Sequence, residues 1–409
     1  MDCTALKLSE FTSEKSGVMR LTLTDFRNYA YLRINAHMGP IVITGENGTG
    51  KTNILEAISF LTPGRGLRGA RLADIKRITP ALISDEYQPT VISNACWAVS
   101  ALVNKADEEV EIGTAVEKSF REISDDESKS FERRIVKIDG QKVSSQSELG
   151  KYLSAIWITP QMDRLFRGGS QPRRSFLDRL VYAFDVEHAK RTANFEHMYK
   201  EWYQLLKSGH NDDNWLLSLE EGMSALGVAI AAARREQIAK LNTFIEHEPD
   251  DVFPNVRLEL EGTIEKLLNK LPALEVEDFY RELLKKQRRN ILYNDNIDGI
   301  NRTDFKVYYR KKGMPAELCS TGEQKSLLIS IILAQTKCQT LDKGFSPVLL
   351  LDEVVAHLDD IKREALLEKI RDLGLQAWIT STDPTLFSSL KNDAMLLEVK
   401  NNQVKKLSF

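Results

Sequence analysis

Cysteine is scarce in this sequence, and its placement predicts neither a metal site nor a disulfide framework. Four cysteines occur among 409 residues, and none forms a Cys-x-x-Cys pair, which argues against zinc ribbons and disulfide scaffolds. The six histidines are dispersed without ligand spacing. No apolar run approaches the roughly 20 residues of a membrane span, and the first residues do not resemble a signal peptide. We therefore expect a cytoplasmic protein without a membrane partner.

An excess of positive charge is absent as well. The formal net charge is −3, so the chain is not a polycation, and any binding of nucleic acid must come from local basic patches. Hydrophobic residues make up 42% and charged residues 28% of the chain, which is typical of a globular protein. The length allows two or three domains.

What the sequence does contain is a phosphate-binding loop of the pattern G-x-x-x-x-G-K-[ST], set between an apolar strand and a predicted helix. Its glycines allow backbone N–H groups to converge on phosphates at the start of a helix. We expect Lys51 to contact the β- and γ-phosphates and the Thr52 hydroxyl to bind Mg²⁺. The candidate nucleotide-binding residues are Gly45, Glu46, Asn47, Gly48, Thr49, Gly50, Lys51 and Thr52.

A second group of motifs follows strands in the C-terminal part of the chain. An apolar strand ends in Asp352, which fits a Mg²⁺ ligand, and Glu353, which fits a base that polarises the attacking water. A later strand leads to Thr382, a candidate sensor of the γ-phosphate. Gln161, at the end of another predicted strand, is a further candidate for the metal or the water, although an ordinary loop glutamine is the default interpretation.

A short polar segment also precedes a strongly apolar predicted helix. Small residues at a helix N-terminus favour an anion, although a Ser-Thr pair is also an ordinary N-cap. The residues of this signature segment are Ser320, Thr321, Gly322, Glu323 and Gln324. Further along, Asp359 begins a turn into another predicted helix.

Helical periodicity dominates from about residue 172 to 290, which predicts an inserted helical lobe. Residues 119–132 are charged and Ser-rich, and we predict a loop there. Basic residues are candidates for contact with DNA phosphates, which give affinity without sequence information; a solvated helix face or loop explains them at least as well. These candidates are Arg65, Arg68, Arg173, Arg174, Lys285, Arg288 and Arg289.

The order of the motifs is typical of ABC-type ATPase heads. We therefore predict an α/β fold, an ABC-type P-loop ATPase head with an inserted helical lobe. The predicted parts are a disordered extension at 1–18, ATPase lobe segments at 19–165 and 293–409, and the helical lobe at 166–292. In such heads the signature segment of one subunit meets the γ-phosphate held by the other, so that two ATP molecules are sandwiched in a dimer.

Within that group the chain resembles the RecF family of bacterial recombination mediators over residues 19–409. The resemblance rests on the segments LTDFRNY, GENGTGKTNILEAI, GRGLR, RRSFLD, STGEQKSLL, LLLDEVVAHLD and TSTD. The sequence departs from the family pattern at two places, a four-residue segment and a single residue. Gly299-Ile300-Asn301-Arg302 stands where the family usually has Gly-Pro-His-Arg, and Gln161 stands where many members have Glu.

The resemblance implies an ATP-dependent homodimer that uses Mg²⁺, with Asp359 in the D-loop and weak, DNA-stimulated hydrolysis as a switch. The implied DNA is single-stranded, gapped or at a single-strand/double-strand junction. The implied partners are RecR and RecO, and RecA would be loaded indirectly. The corresponding processes are recombinational repair, replication restart and the SOS response to DNA damage.

Three alternatives remain. An ATP-gated structural clamp would bind ATP without significant hydrolysis, and Glu353 argues against it. Another ABC-type ATPase subunit, such as that of a transporter, would share the motifs. The large insertion and Thr382 in place of the switch histidine argue against a transporter. A small-molecule P-loop kinase would not explain the C-terminal motifs.

Overall fold

The computed structural model describes residues 16–83, 86–91, 96–105, 108–122, 128–208, 212–247, 251–288 and 298–408. The chain divides into two compact units. The first comprises the residues up to Pro160 and those from Gln339 onward, and the second is Gln161–Cys338. The second boundary falls inside one long helix.

The strands and helices of the N-terminal part are β1 Gly17–Phe26, β2 Tyr29–Asn35, β3 Ile41–Thr44, α1 Lys51–Ser59, β4 Ile78–Ile83, β5 Glu86–Val91, β6 Ala98–Lys105, β7 Glu108–Glu122, β8 Ser128–Ile138, β9 Gln141–Val143 and β10 Ala155–Ile158. The middle part contains α2 Ser170–Tyr182, α3 His188–Ser208, α4 Asp213–Glu246, β11 Val256–Glu261, α5 Thr263–Leu267, α6 Ala273–Gln287, β12 Asp304–Tyr309, β13 Met314–Pro315 and α7 Thr321–Lys343. The C-terminal part contains β14 Val348–Asp352, α8 Asp360–Asp372, β15 Ala377–Ser381, β16 Met395–Lys400 and β17 Gln403–Leu407.

A largely parallel sheet forms the centre of the first unit. Its strand order is β10-β14-β15-β3-β16-β17, with only β17 antiparallel to its neighbour. Every residue of β3, β10, β14 and β15 is buried, as expected for parallel strands covered on both faces. The buried strand predicted before Asp352 is confirmed.

An antiparallel sheet of order β2-β1-β6-β7-β8-β9 is the second layer of this unit. The predicted alternation before and along β6 is confirmed, because Trp97, Val99 and Val103 are all buried. The loop predicted at residues 119–132 is wrong for the part that the structure describes. There, β7 continues to Glu122 and pairs with β8. This ribbon has few apolar residues to reveal an alternation.

The start of the fold also differs from the prediction. β1 begins at Gly17, two residues before the predicted boundary, and the first fifteen residues of the predicted extension lie outside the described residues. β1 pairs with both β2 and β6, so its first residues are anchored by strand hydrogen bonds.

The second unit is longer than the predicted helical lobe. Its core lies between α3, α4 and α6, with Phe195, Trp202, Met223 and Tyr280 almost fully buried. It also contains a three-stranded sheet of order β11-β12-β13. Because β12 pairs along its whole length with β11, the chain after residue 292 remains part of this unit, and the signature segment lies in it.

Helix α4 qualifies the expectation that no segment is apolar enough to cross a membrane. One 18-residue window has a mean hydropathy of 1.4, yet half of that window is buried inside the protein. The helix also carries Glu220 and Arg234, both buried and ion-paired. The length and composition of α4 fit a helix in a protein core as well as they fit a membrane span.

A buried ion pair joins α2 to α4 in the second unit. Asp178 accepts hydrogen bonds from Nε and Nη2 of Arg234 at 2.8 and 2.9 Å, and Nε2 of His188 lies 2.9 Å from the same carboxylate. Burial alone would raise the pKa of Asp178, but the Arg234 charge and these hydrogen bonds hold it well below its usual range.

We predict that Asp178→Asn lowers the free energy of unfolding by about 3–5 kcal/mol at pH 7, because it leaves Arg234 buried without its partner. A carboxyl with a depressed pKa stabilises the fold above its unfolded pKa of about 3.9, and this contribution is lost as the pH falls. The difference from wild type should therefore shrink below about pH 4. Urea unfolding measures both effects. Glu282→Gln, which removes an exposed partner of Lys285 on α6, is the control, and an equal loss in both variants would contradict the prediction.

Candidate nucleotide-binding site

The phosphate loop connects the end of β3 to the start of α1. Gly45 and Gly50 have φ of 147° and 106°, in the region that L side chains rarely adopt. A side chain at either position would also clash with neighbouring atoms. A Cβ on Gly45 would lie 2.5 Å from the carbonyl oxygen of Val399, and one on Gly50 would overlap the Asn28 amide. This backbone can curl its N–H groups around an anion at the start of α1.

Lys51 lies inside this loop. Its Nζ donates to the carbonyl oxygens of Gly45 and Glu46 at 2.7 and 2.9 Å, and the residue is 4% exposed. Burial lowers the pKa of Lys51, against the opposing charges of Glu353 and Asp352. The ammonium group is therefore already oriented toward the concave side of the loop, where a phosphate would replace the carbonyl partners.

Asp352, the last residue of β14, is hydrogen-bonded to the end of this loop. Thr52 Oγ1 donates to Asp352 Oδ1 at 2.8 Å, and Thr380 Oγ1 donates to the same oxygen at 2.8 Å. The Thr380 hydroxyl in turn accepts from the backbone N–H of Glu353 at 2.9 Å. Glu353 has φ of 53°, a strained conformation for a non-glycine residue, and this bond holds it there. Thr380 was not identified from the sequence, although it stands two positions before the predicted sensor.

The chemistry of these groups fits Mg²⁺. Within the described residues no cluster of three or more His, Cys, Asp or Glu side chains forms a metal site of its own. Mg²⁺ is commonly held by one or two protein oxygens together with phosphate oxygens and water. The Thr52 hydroxyl and the Asp352 carboxylate are adjacent oxygens of that kind, so they are the residues that would hold the ion.

Two residues at the turn between β1 and β2 donate hydrogen bonds to carbonyl groups of the phosphate loop. Asn28 Nδ2 donates to the carbonyl oxygen of Thr49 at 3.1 Å, and Tyr29 Oη donates to that of Gly50 at 3.1 Å. Because the C=O and N–H of a peptide unit point in opposite directions, these bonds turn the N–H groups of Gly50 and Lys51 toward the phosphate side. Burial raises the pKa of Tyr29, so its hydroxyl keeps the proton that it donates.

Arg68 contributes to this support. Glu56 is fully buried on α1, and its carboxylate accepts from Arg27 at 2.6 and 2.9 Å and from Arg68 at 3.0 Å. Arg68 also donates to the Asn53 amide. Arg65 and Arg68 are both exposed on the same loop, and a DNA contact of Arg68 would compete with these bonds.

Three further predicted residues, Thr382, Asp359 and Gln161, lie at exposed positions. Thr382 follows β15 and is exposed, in contrast to Thr380 and Ser381, which are fully buried. Asp359 is the N-cap of α8 and accepts from the backbone N–H of Lys362 at 2.9 Å. Gln161 is exposed and opens the second unit, so its predicted contact with metal or water stays a prediction.

The signature segment forms a capping box at the start of α7. Glu323 Oε2 accepts from the backbone N–H and the hydroxyl of Ser320 at 2.8 and 2.9 Å. Hydrogen bonds from Lys312 and Ser320 lower the pKa of Glu323 to about 2. Gln324 is buried and donates to the carbonyl oxygen of Cys319 at 2.9 Å. Ser320, Thr321 and Gly322 are exposed, so the helix N-terminus is accessible.

Two of the predicted DNA contacts of the second unit involve arginines that form ion pairs within the fold. Arg173 is 6% exposed and makes a two-pronged ion pair with Asp304, at 2.7 and 2.8 Å. Arg288 makes a similar pair with the fully buried Glu220, at 2.6 Å for both bonds. Bidentate pairs of this kind are strong and geometrically fixed, so a DNA phosphate would have to compete with a carboxylate for either arginine.

Three other basic candidates of this unit have different surroundings. Arg174 is partly buried and donates to the carbonyl oxygen of Thr303 at 2.9 Å. Lys285 pairs with Glu282 on the surface of α6 at 2.7 Å, a contact that a phosphate can replace at little cost. Arg289 lies outside the described residues.

Comparison with known proteins gives a consistent result. Residues 17–406 match the RecF/RecN/SMC N terminal domain family. A DNA replication and repair protein RecF of Mesorhizobium japonicum is 41% identical over 95% of this chain and 98% of its own length. One of Rhizobium rhizogenes is 41% identical over 96% and 99%. The solved structure of a recombination mediator protein RecF with ATP, of the RecFOR pathway, is 20% identical, covers 98% of this chain and 100% of its own, and has a TM-score of 0.78. The predicted ATPase-head fold is confirmed.

We predict that Thr380→Val lowers the free energy of unfolding by about 1–3 kcal/mol. The near-isosteric side chain removes a donor from the buried Asp352 carboxylate and an acceptor from the Glu353 N–H. Urea unfolding of the purified protein measures the loss. Thr382→Val, two residues away and exposed, should change stability by at most about 0.5 kcal/mol. Equal effects of the two substitutions would contradict the role given to Thr380.

Proposed function

The chain belongs to the RecF family, and from this premise we propose that the protein is an ATP-dependent, DNA-binding protein of recombinational repair in the cytoplasm. The observation that carries the proposal is the continuous set of hydrogen bonds from Thr52 through Asp352 and Thr380 to Glu353. It links the Thr52 hydroxyl, the Asp352 carboxylate and the backbone of Glu353 next to the phosphate loop, which supports metal binding by the first two and a role as base for Glu353. Phosphoryl transfer from ATP to water requires these groups.

In the proposed reaction, Lys51 exchanges its carbonyl partners for oxygens of the β- and γ-phosphates. Mg²⁺, held by Thr52 and Asp352, supplies charge neutralisation when bound. The carboxylate of Glu353 accepts a proton from the attacking water as its oxygen bonds to the γ-phosphorus, and the bond to the bridging oxygen breaks to release ADP. The Thr380 hydroxyl acts by fixing the backbone of Glu353.

We further propose that two copies close around two ATP molecules. The signature segment supports this, because Ser320, Thr321 and Gly322 are exposed at a helix N-terminus and can approach the γ-phosphate held by another copy. Asp359 and Thr382 would act as the D-loop residue and the sensor of the γ-phosphate. ATP would then stabilise the dimer and hydrolysis would release it, so that weak ATPase activity acts as a switch.

DNA is the proposed substrate of the closed dimer, in particular gapped, single-stranded and junction DNA. Among the candidates, Lys285 is the one whose surroundings support phosphate contact best, because its ion pair with Glu282 lies on the surface. Arg65 stays a candidate on its exposure. The RecFOR pathway named for the solved relative supports RecR and RecO as partners, with RecA loaded onto single strands as the outcome. Replication restart and the SOS response are the proposed settings.

The proposal is tested by Glu353→Gln. If Glu353 is the base, the variant binds ATP but does not hydrolyse it, and light scattering at saturating ATP and Mg²⁺ should give the mass of a dimer that persists. Wild type should return to monomer as ATP is consumed, and Lys51→Ala, which lacks the phosphate-binding ammonium, should stay monomeric.

A monomeric Glu353→Gln variant at saturating ATP would contradict the proposed role. If wild type and Glu353→Gln instead persist as dimers for equally long, hydrolysis is not the release step, and the alternative of an ATP-gated clamp without significant turnover is favoured.

A further inference from the structure

The turn between β16 and β17 reaches the phosphate loop from the other end of the chain. Asn401 and Asn402 form this two-residue turn, with φ of 51° and 60°, as in the tight hairpin turns that favour Asn. Asn402 Oδ1 accepts a hydrogen bond of 2.7 Å from Asn28 Nδ2, across 374 positions of sequence. Both turn residues are exposed, yet only Asn402 has this contact.

Both the nitrogen and the oxygen of the Asn28 side-chain amide are hydrogen-bonded. Its Nδ2 donates to the Thr49 carbonyl oxygen at 3.1 Å as well as to Asn402. Its Oδ1 accepts from Asn53 Nδ2 at 2.7 Å. An amide nitrogen has two hydrogens, so Asn402 and Thr49 together use both, and rotation of the amide would break every one of these bonds.

The strand that leads into the turn is packed against the same loop. β16 pairs in parallel with β3, and Thr44 Oγ1 donates to the carbonyl oxygen of Leu397 at 3.2 Å. The close approach of Val399 to Gly45 leaves no space for a side chain there. The β16–β17 hairpin therefore lies directly against the phosphate loop. Asn402 hydrogen-bonds the turn of this hairpin to Asn28, which in turn holds the loop.

We propose that Asn402 is a positioning residue for the phosphate loop. By accepting from Asn28, it fixes the amide orientation in which Asn28 holds the Thr49 carbonyl and thereby turns the Gly50 N–H toward the phosphates. Donors that are held in place before the ligand arrives do not have to be ordered on binding. This inference rests on the proposed binding of ATP at the loop.

The test compares two glycine substitutions in the full-length protein. Asn402→Gly keeps the left-handed turn, which glycine adopts freely, and removes only the acceptor; Asn401→Gly makes the same backbone change beside it. We expect Asn402→Gly to weaken binding of a fluorescent ATP analogue roughly three- to tenfold, mainly through faster dissociation. Asn401→Gly should bind as wild type does, and both variants should have similar melting temperatures.

A double-mutant cycle separates positioning from a general loss of structure. If Asn402 acts through Asn28, the double variant Asn28→Ala/Asn402→Gly should bind ATP no more weakly than Asn28→Ala alone. Effects that multiply would contradict the inference, as would wild-type affinity in Asn402→Gly. A wild-type protein that does not bind the analogue would contradict the proposed function itself, and the inference with it.

Discussion

The hydrogen bonds to one buried carboxylate oxygen hold the candidate site together. Asp352 Oδ1 accepts from Thr52 at the start of α1 and from Thr380 at the end of β15, so three segments that are far apart in sequence converge on one atom. The register of the parallel sheet makes this possible. Asp352 of β14 pairs with Thr380 of β15, and Ser381 of β15 pairs with Thr44 of β3. Ligands of open parallel sheets bind at such carboxyl ends.

The surroundings of the phosphate loop add a second constraint on the same site. The turn after β1 holds the carbonyl groups of Thr49 and Gly50, and the buried Glu56 joins Arg27 and Arg68 around α1. A loop that must present N–H groups to an anion needs its carbonyl groups satisfied elsewhere. The support is therefore polar, and it explains why basic residues near the loop are engaged within the fold.

The motifs with a fixed local geometry could be predicted from the sequence. The phosphate loop, the buried strand before Asp352 and the turn into a helix at Asp359 each depend on residues that are close in sequence. Thr380 could not be predicted because its role depends on sheet register, and Thr382 follows it in the same polar segment. The ion pairs of Arg173 and Arg288 could not be predicted, because their carboxylate partners, Asp304 and Glu220, lie 131 and 68 positions away.

The length of the second unit was underestimated for a similar reason. The pairing of β11 with β12 brings residues after the predicted lobe back into that unit, and strand pairing across tens of residues leaves no local pattern. The ribbon of β7 and β8 has no clear apolar alternation, so its sequence predicts a loop although the strands pair.

The central claim is that ATP controls binding to DNA. The most direct test is the affinity of the wild-type protein for a gapped DNA duplex with ATP, with ADP and without nucleotide, over a series of salt concentrations. The account predicts tight binding only with ATP, weakening with salt in proportion to the phosphates contacted. Equal affinity under all three nucleotide conditions would contradict it.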